Sequence, residues 1–216
     1  PRHKKDANVT PAKPGITMAD YREETDSIGS IKVPNEKLWG AQTQRSIKNF
    51  AIGNNKMPTA IIHAFSVIKE AAATLHYKDN NLSEQKYDAI IAACKMIRGS
   101  HLDEHFPLHV WQTGSGTQTN MNVNEVIANY ANEQLGSPRG SKSPIHPNDD
   151  VNRSQSSNDT FPSAMHISLV VELETRLLPA LKELKNTLSL KVQAWQKIIK
   201  IGRTHLQDAV PLTLGQ

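Results

Sequence analysis

SQSSNDTFPSAMHISLVVELETRLLPALKELKNTLSLKVQAWQKII, residues 154–199, joins a polar head to a long apolar-periodic tail. In the tail, Leu177, Leu181, Leu184, Leu188, Val192, Trp195 and Ile199 recur at three- and four-residue steps. That spacing predicts a helix with one apolar stripe packed on other helices. Pro179 cannot donate to the backbone ladder, so a kink or restart is expected there. At about 1.5 Å per residue the segment is tens of ångströms long. A helix of that length cannot bury its stripe against this chain alone, which implies partner helices from a further segment or from other subunits. The head, Ser154 to Thr160, places hydroxyls and an amide at the mouth of that helix. Such groups satisfy the free N–H donors of a first turn, and the helix dipole adds partial positive charge. An anion suits the position. An elaborate N-cap without a ligand explains the same residues and is the commoner case.

Working outward, composition narrows the class. Of 216 residues, 38% are hydrophobic, and mean hydropathy is −0.50. The single cysteine, Cys94, excludes an internal disulfide framework and reads as a buried structural thiol. The net charge is +4, but Arg2, Lys4, Lys5 and Lys13 against Asp6 place +3 of it in residues 1–17, leaving +1 for the rest. No basic stripe interleaved with aromatics indicates nucleic acid, and no apolar run reaches the length of a membrane span. Residues 1–17 hold three prolines and no periodicity, and are expected to be a disordered leader. Met18 is the expected position for a natural start.

A small β-hairpin is expected between Tyr21 and Val33, with Gly29 in its middle. Leu38 to Ser46 reads as a surface turn pinned by Trp39. Pro58 opens a helix carrying Ile61, Ile62, Phe65, Ile68, Ala72 and Leu75 on one face. Ser83 caps a second, through Tyr87, Ile90, Ile91, Cys94 and Ile97, which Gly99 ends. His101, His105 and His109 have the spacing of a metal face, but Pro107 interrupts any regular helix through all three. Thr113–Asn120 is a second polar run, its two glycines allowing close backbone approach. It lacks both the phosphate-loop and the dinucleotide patterns. The helix after it carries Val123, Val126, Ile127, Tyr130 and Leu135. Glycines and prolines across 136–150 mark a loop and the candidate domain boundary. The loop ends in His146-Pro147-Asn148-Asp149-Asp150. The last polar run, from Gly202 to Leu212, leaves the long helix and offers Arg203, Thr204 and His205 together. Histidine is the side chain best placed to exchange protons near neutral pH. Four polar runs at helix boundaries, none with a nucleophile triad or a metal-ligand pattern, favour one shared anionic site.

These runs carry a resemblance. LWGAQTQR at 38–45, TGSGTQTNMNVNEV at 113–126, HPNDDVN at 146–152, SQSSNDT at 154–160 and GRTHLQDAVPLTLGQ at 202–216 stand in the order of the class II fumarate hydratases. From about Tyr21 to Gln216 the chain resembles the N-terminal part of that family, within the fumarase/aspartase superfamily. The aspartate ammonia-lyases usually read Gly-Arg-Thr-Gln where this chain has His205, and Ser-Thr-Asn-Asp where it has Ser156-Ser157-Asn158.

The resemblance implies a mainly α fold. It divides into a leader (1–17), an N-terminal lyase domain with a small β-hairpin (18–150), and the start of a long-helix bundle domain (151–216). It implies reversible hydration of fumarate to L-malate in the tricarboxylic acid cycle, without metal or other cofactor, by a homotetramer in the cytoplasm or, alternatively, the mitochondrial matrix. It implies that Ser115, Thr117, Ser156, Ser157, Asn158 and Thr204 bind the dicarboxylate and that His205 acts on the water. His146, Asn148 and Asp149 match a second, peripheral dicarboxylate site. The family often has a basic residue shortly before that histidine; here Lys142 is on offer. The family's mobile loop, Gly-Ser-Ser-x-Met-Pro-x-Lys-x-Asn-Pro, which carries the serine base, is not among these residues. The 216 residues alone are therefore expected to be inactive. The alternatives are an aspartate ammonia-lyase-type enzyme and a non-catalytic helical association piece.

Overall fold

The computed structural model describes residues 20–216, so the expected leader at 1–17 lies outside the described residues. These form two compact units, one reaching Ala164 and the other Met165–Gln216. The architecture is mainly α, as the resemblance implied, with two small antiparallel hairpins where one was expected.

The first unit opens on the expected hairpin, β1 (Tyr21–Asp26) and β2 (Gly29–Pro34), in register from Tyr21↔Pro34 to Asp26↔Gly29. Asp26 closes the turn by accepting from the N–H groups of Ile28 and Gly29. It also takes a bidentate Arg45 at 2.7 and 2.9 Å, which ties the hairpin to the next helix. The guanidinium beside it holds the Asp26 carboxyl below its ordinary pKa. Ile31 and Val33 point inward.

Helix α1 (Ala41–Asn49) corrects the surface-turn reading of the tryptophan run. Leu38, Trp39, Gly40, Ala41, Thr43 and Ser46 are all buried. A buried carboxylate caps the helix. Glu125 accepts from Gly40 N at 2.9 Å, Gln42 N at 2.8 Å, Thr43 N at 3.1 Å and Thr43 Oγ1 at 2.6 Å. Burial nevertheless pushes the Glu125 carboxyl above its ordinary pKa. A Cβ on Gly40 would lie 2.7 Å from Glu24 Oε2 and 2.9 Å from Glu125, so only glycine fits.

Helices α2 (Thr59–Lys78) and α3 (Glu84–Arg98) lie where the periodicity placed them. They pack together, with Tyr77 stacked on Tyr87 at 4.6 Å between ring centroids. Ser83 occupies the cap position, but its side chain makes no capping bond. Phe65, Ile62, Ile90 and Ile97 fill the space towards α4 (Thr117–Gln134), which contributes Val123, Val126 and Ile127.

Helix α4 is the hub, and a polar one. Asn122 Nδ2 donates to His105 O, Asn129 Nδ2 to Leu38 O, and Asn132 Nδ2 to Ile145 O. In return Gly140 N donates to Asn129 Oδ1 and Ile145 N to Asn132 Oδ1. Each buried amide thus satisfies the backbone of a loop that no sheet or helix could satisfy. Helix α5 (Ser157–Glu172) begins in this unit, where Phe161 lies 6.0 Å from Phe65.

In the second unit α5 ends and a wide five-residue helical turn, Leu173–Leu177, leads into α6 (Leu178–Trp195). Pro179 sits in the first turn of α6, the restart expected from its missing N–H. No residue of α6 is buried, and Leu177, Leu181, Leu184, Leu188, Val192 and Trp195 are all exposed. The expected helical run to Ile199 is corrected. Strands β3 (Ile199–Thr204) and β4 (Gln207–Thr213) form a second hairpin, in register from Ile199↔Thr213 to Thr204↔Gln207. Gly202 is therefore not a helix exit. It lies in a strand irregularity between Ile201 and Arg203, where a Cβ would meet Leu212 at 2.5 Å.

Candidate functional site

Two of the polar runs meet. Thr117 is the first residue of α4 and Ser157 the first of α5, and their hydroxyl oxygens are 2.7 Å apart. Ser115 Oγ lies 3.0 Å from Thr117 Oγ1, so three hydroxyls form a chain open to solvent. Hydroxyl protons rotate, and each can turn from its neighbour to an incoming oxygen. Two helix N-termini converge on the same point, each adding partial positive charge.

The loops are held there by packing. Gly116 has φ +71°, and a Cβ on it would sit 2.2 Å from the Phe161 ring. The bare glycine lets the loop lie flat against the first turn of α5. Gln118 holds Ser46 of α1, while Gln112 Nε2 donates to Thr119 Oγ1 at 3.0 Å. Ser156 Oγ accepts from Asn158 N at 3.2 Å, so Ser156 acts partly as a cap; both side chains are exposed. The turn before them is buttressed from below. Asn152 Oδ1 accepts from Asn120 Nδ2 at 3.0 Å and from Lys69 Nζ at 2.9 Å, and Gln155 Oε1 accepts from the same Nζ at 2.9 Å.

Asn148 and Asp149 lie on the wide turn Pro147–Val151, and His146 caps it. His146 Nδ1 accepts from Asn148 N at 3.2 Å and Asp149 N at 3.3 Å. The Asp149 carboxylate also lies 3.3 Å from that nitrogen. A ring nitrogen that accepts two N–H groups has no proton to offer the acid. Lys142 does not reach this turn with its ammonium, which donates to Thr25 O of β1.

Thr204 and His205 belong to the second unit. Residues 205 and 206 form the two-residue turn of its hairpin, with φ +51° and +64°. Such turns ordinarily carry asparagine or glycine. A histidine and a leucine held there are strained by about 1 kcal/mol or more each, a signature common at functional sites. His205 and Thr204 are exposed, and Leu206 is 95% exposed. Arg203 pairs across the strands with Asp208 at 2.9 Å and braces the tip.

Of the histidine trio, His105 turns inward and accepts from Leu38 N, and burial lowers its pKa. Among the described residues no three His, Cys, Asp or Glu side chains converge as metal ligands. Sequence reading missed Lys69, Glu125 and the α4 asparagines. The one signal for them was the density of asparagine in a run otherwise read as an apolar helix.

Open hydroxyls at paired helix N-termini, beside a glycine-flattened loop, present donors to solvent at one point. The family model described as Lyase matches residues 29–216, and the chain belongs to that lyase family. It is similar to the class II fumarate hydratase of Bacillus anthracis, with 59% identity over 197 residues, 91% of this chain and 42% of that protein. The class II fumarate hydratase of Photorhabdus laumondii subsp. laumondii is 57% identical over 200 residues, 92% and 43% of the two. A solved structure of recombinant class II fumarase from Schistosoma mansoni superposes with a TM-score of 0.85 at 47% identity, covering 90% of this chain and 41% of that one. The chain thus spans less than half the length of these relatives.

Proposed function

We propose that this chain forms part of a fumarate hydratase, catalysing the reversible hydration of fumarate to L-malate in the tricarboxylic acid cycle. The observation that carries the reading is the 2.7 Å contact between Thr117 Oγ1 and Ser157 Oγ, the first residues of two helices. A carboxylate placed over that contact is met by Ser115, Thr117, Ser157 and the helix ends. Ser156 and Asn158 hold its other side. In dehydration a base removes the C3 proton of L-malate, and the electron pair spreads into the adjacent carboxylate. The C2 hydroxyl then leaves as water once protonated. Donors aimed at the developing charge lower the barrier, each by at most about 4 kcal/mol. In this reading Thr204 adds a hydrogen bond and His205 carries the proton of the water. His146, Asn148 and Asp149 make a peripheral dicarboxylate site.

The serine base belongs to the loop that these 216 residues do not carry, so they alone are expected not to turn over. The domain division at 150/151, a homotetramer closed over the α6 stripe and a cytoplasmic location are parts of the same proposal. The stripe supports the assembly; no helix among the described residues is long and apolar enough to cross a membrane.

The test is L-malate dehydration by the natural protein that carries these residues, with Thr117→Val and Ser157→Ala beside it. Each variant is expected to raise KM about 10- to 100-fold, in line with the loss of one or two charge-assisted hydrogen bonds. Release of ammonia from L-aspartate without malate turnover would overturn the reading in favour of an ammonia-lyase.

A further inference from the structure

Behind the candidate site lies a charge that the reaction as described does not use. Lys69 projects from α2 and is 1% exposed. Its Nζ donates to Asn152 Oδ1 and Gln155 Oε1, both at 2.9 Å, and among the described residues no carboxylate pairs with it. The acids nearby are taken: Glu70 pairs with Arg98 of α3, and Asp150 with Lys86 at 2.9 Å. Cys94 of α3 is neutral, its thiol pushed up to about 12 by burial. Helix α4 presents Asn120, which is neutral. Arg153 directs its Nε to Asp149 O, and His76 on α2 directs its Nε2 to Arg153 O. A buried ammonium with two amide acceptors and no counterion is costly, and proteins rarely keep one without a use.

Its two acceptors identify that use. Gln155 immediately precedes Ser156 and Ser157. Asn152 is shared with Asn120, whose Oδ1 faces Thr160 Oγ1 of α5 at 3.5 Å. One side chain therefore ties α2, α4 and the turn that delivers Ser157.

We propose that Lys69 is a positioning residue of the dicarboxylate site, an ammonium that locks the Asn152–Asn158 turn and favours a dianion in front of it. The proposal rests on the functional reading above. Thr117 and Ser157 are surrounded by hydroxyls, amides and N–H groups, and the one charge in the first turn of α5, Asp159, is negative, so a positive charge beneath them is what would offset it and favour a dianion.

Coupling follows by linkage. Desolvation brings the Lys69 ammonium down to about 7. A bound dianion favours the protonated form, so binding above pH 7 draws a proton onto the protein, and protonation strengthens binding equally. The apparent affinity for L-malate therefore falls as pH rises through 7, while the chemical step is untouched.

The experiment is calorimetric titration of L-malate into the natural protein carrying these residues, at pH 8, in two buffers of different ionisation enthalpy. It is accompanied by KM and kcat profiles across neutral pH for wild type and Lys69→Met. The wild type is expected to take up a fraction of a proton on binding, and its KM to rise up to about tenfold over one pH unit. Lys69→Met is expected to show no such uptake and a flat KM, with the pH dependence of kcat preserved. A purely structural role would lower the melting temperature and leave the pH profile of KM in place. Binding by the wild type without proton uptake overturns the proposal, and this arm needs no variant to fold. Uptake that persists in Lys69→Met overturns it as well. Failure of the wild type to bind or dehydrate L-malate overturns the functional reading and this proposal together.

Discussion

Helices α4 and α6 are each 18 residues long and reverse the usual relation between sequence and burial. Helix α4 is dense in asparagine and almost wholly buried, whereas α6 bears a regular apolar stripe and buries nothing. The amides of Asn122, Asn129 and Asn132 on α4 belong to contacts made inside the first unit. The leucines of α6 belong to contacts that the second unit does not make. Periodicity reports that a face exists, but not what covers it. Buried amides, by contrast, need partners at hydrogen-bond distance and so reveal the local fold in full.

The sharpest way to break this contrast is at Glu125. Glu125→Ala removes the acceptor of three backbone N–H groups and one hydroxyl, and the α1 terminus cannot be hydrated without opening. The expected loss is about 4 kcal/mol in urea unfolding, since each buried orphan donor costs about 1–3 kcal/mol. A loss below about 1 kcal/mol would mean that the carboxylate is not the cap, and that α4 is no hub.

Asn132→Ala should follow at about 2–3 kcal/mol, because it strands both the N–H and the C=O of the buried Ile145. Gly116→Ala is expected to cost about 2 kcal/mol through its positive φ, and more if Phe161 cannot yield. It differs from the other two in its second effect. By lifting the loop off α5 it should part Thr117 from Ser157, so KM for L-malate should rise further than stability falls.

These residues also mark how far the sequence could be read. Helices α2 and α3 were legible because Pro58, Ser83 and Gly99 punctuate them and their apolar residues repeat. The first hairpin was legible from Gly29 between short mixed runs. Of the five runs that carry the family resemblance, those at 113–126 and 154–160 meet at Thr117 and Ser157, and composition alone would not have joined them. The second hairpin was missed because Ile199 happens to continue the leucine stepping of α6. The alternation of Ile199, Lys200 and Ile201 was the competing signal for a strand. The tryptophan run was misread because its burial depends on Glu125, 85 residues away from Gly40. Lys69 was invisible for the same reason: lysine is normally exposed, and only three-dimensional proximity to Asn152 and Gln155 gives it a role.

The smallest expected effect tests the other half of the contrast. Leu184 lies mid-stripe on α6 and is 55% exposed. Leu184→Lys should change the unfolding free energy of the dissociated chain by no more than about 0.5 kcal/mol, as for an ordinary surface substitution. If copies of the chain cover the stripe in solution, the same substitution should abolish association in sedimentation velocity, because each copy would bury an unpaired ammonium. A loss of about 2–5 kcal/mol in the dissociated chain would place Leu184 in a core of its own. The stripe would then be satisfied within one copy, α6 would resemble α4 in burying its contacts locally, and the assembly proposed over it would have no basis.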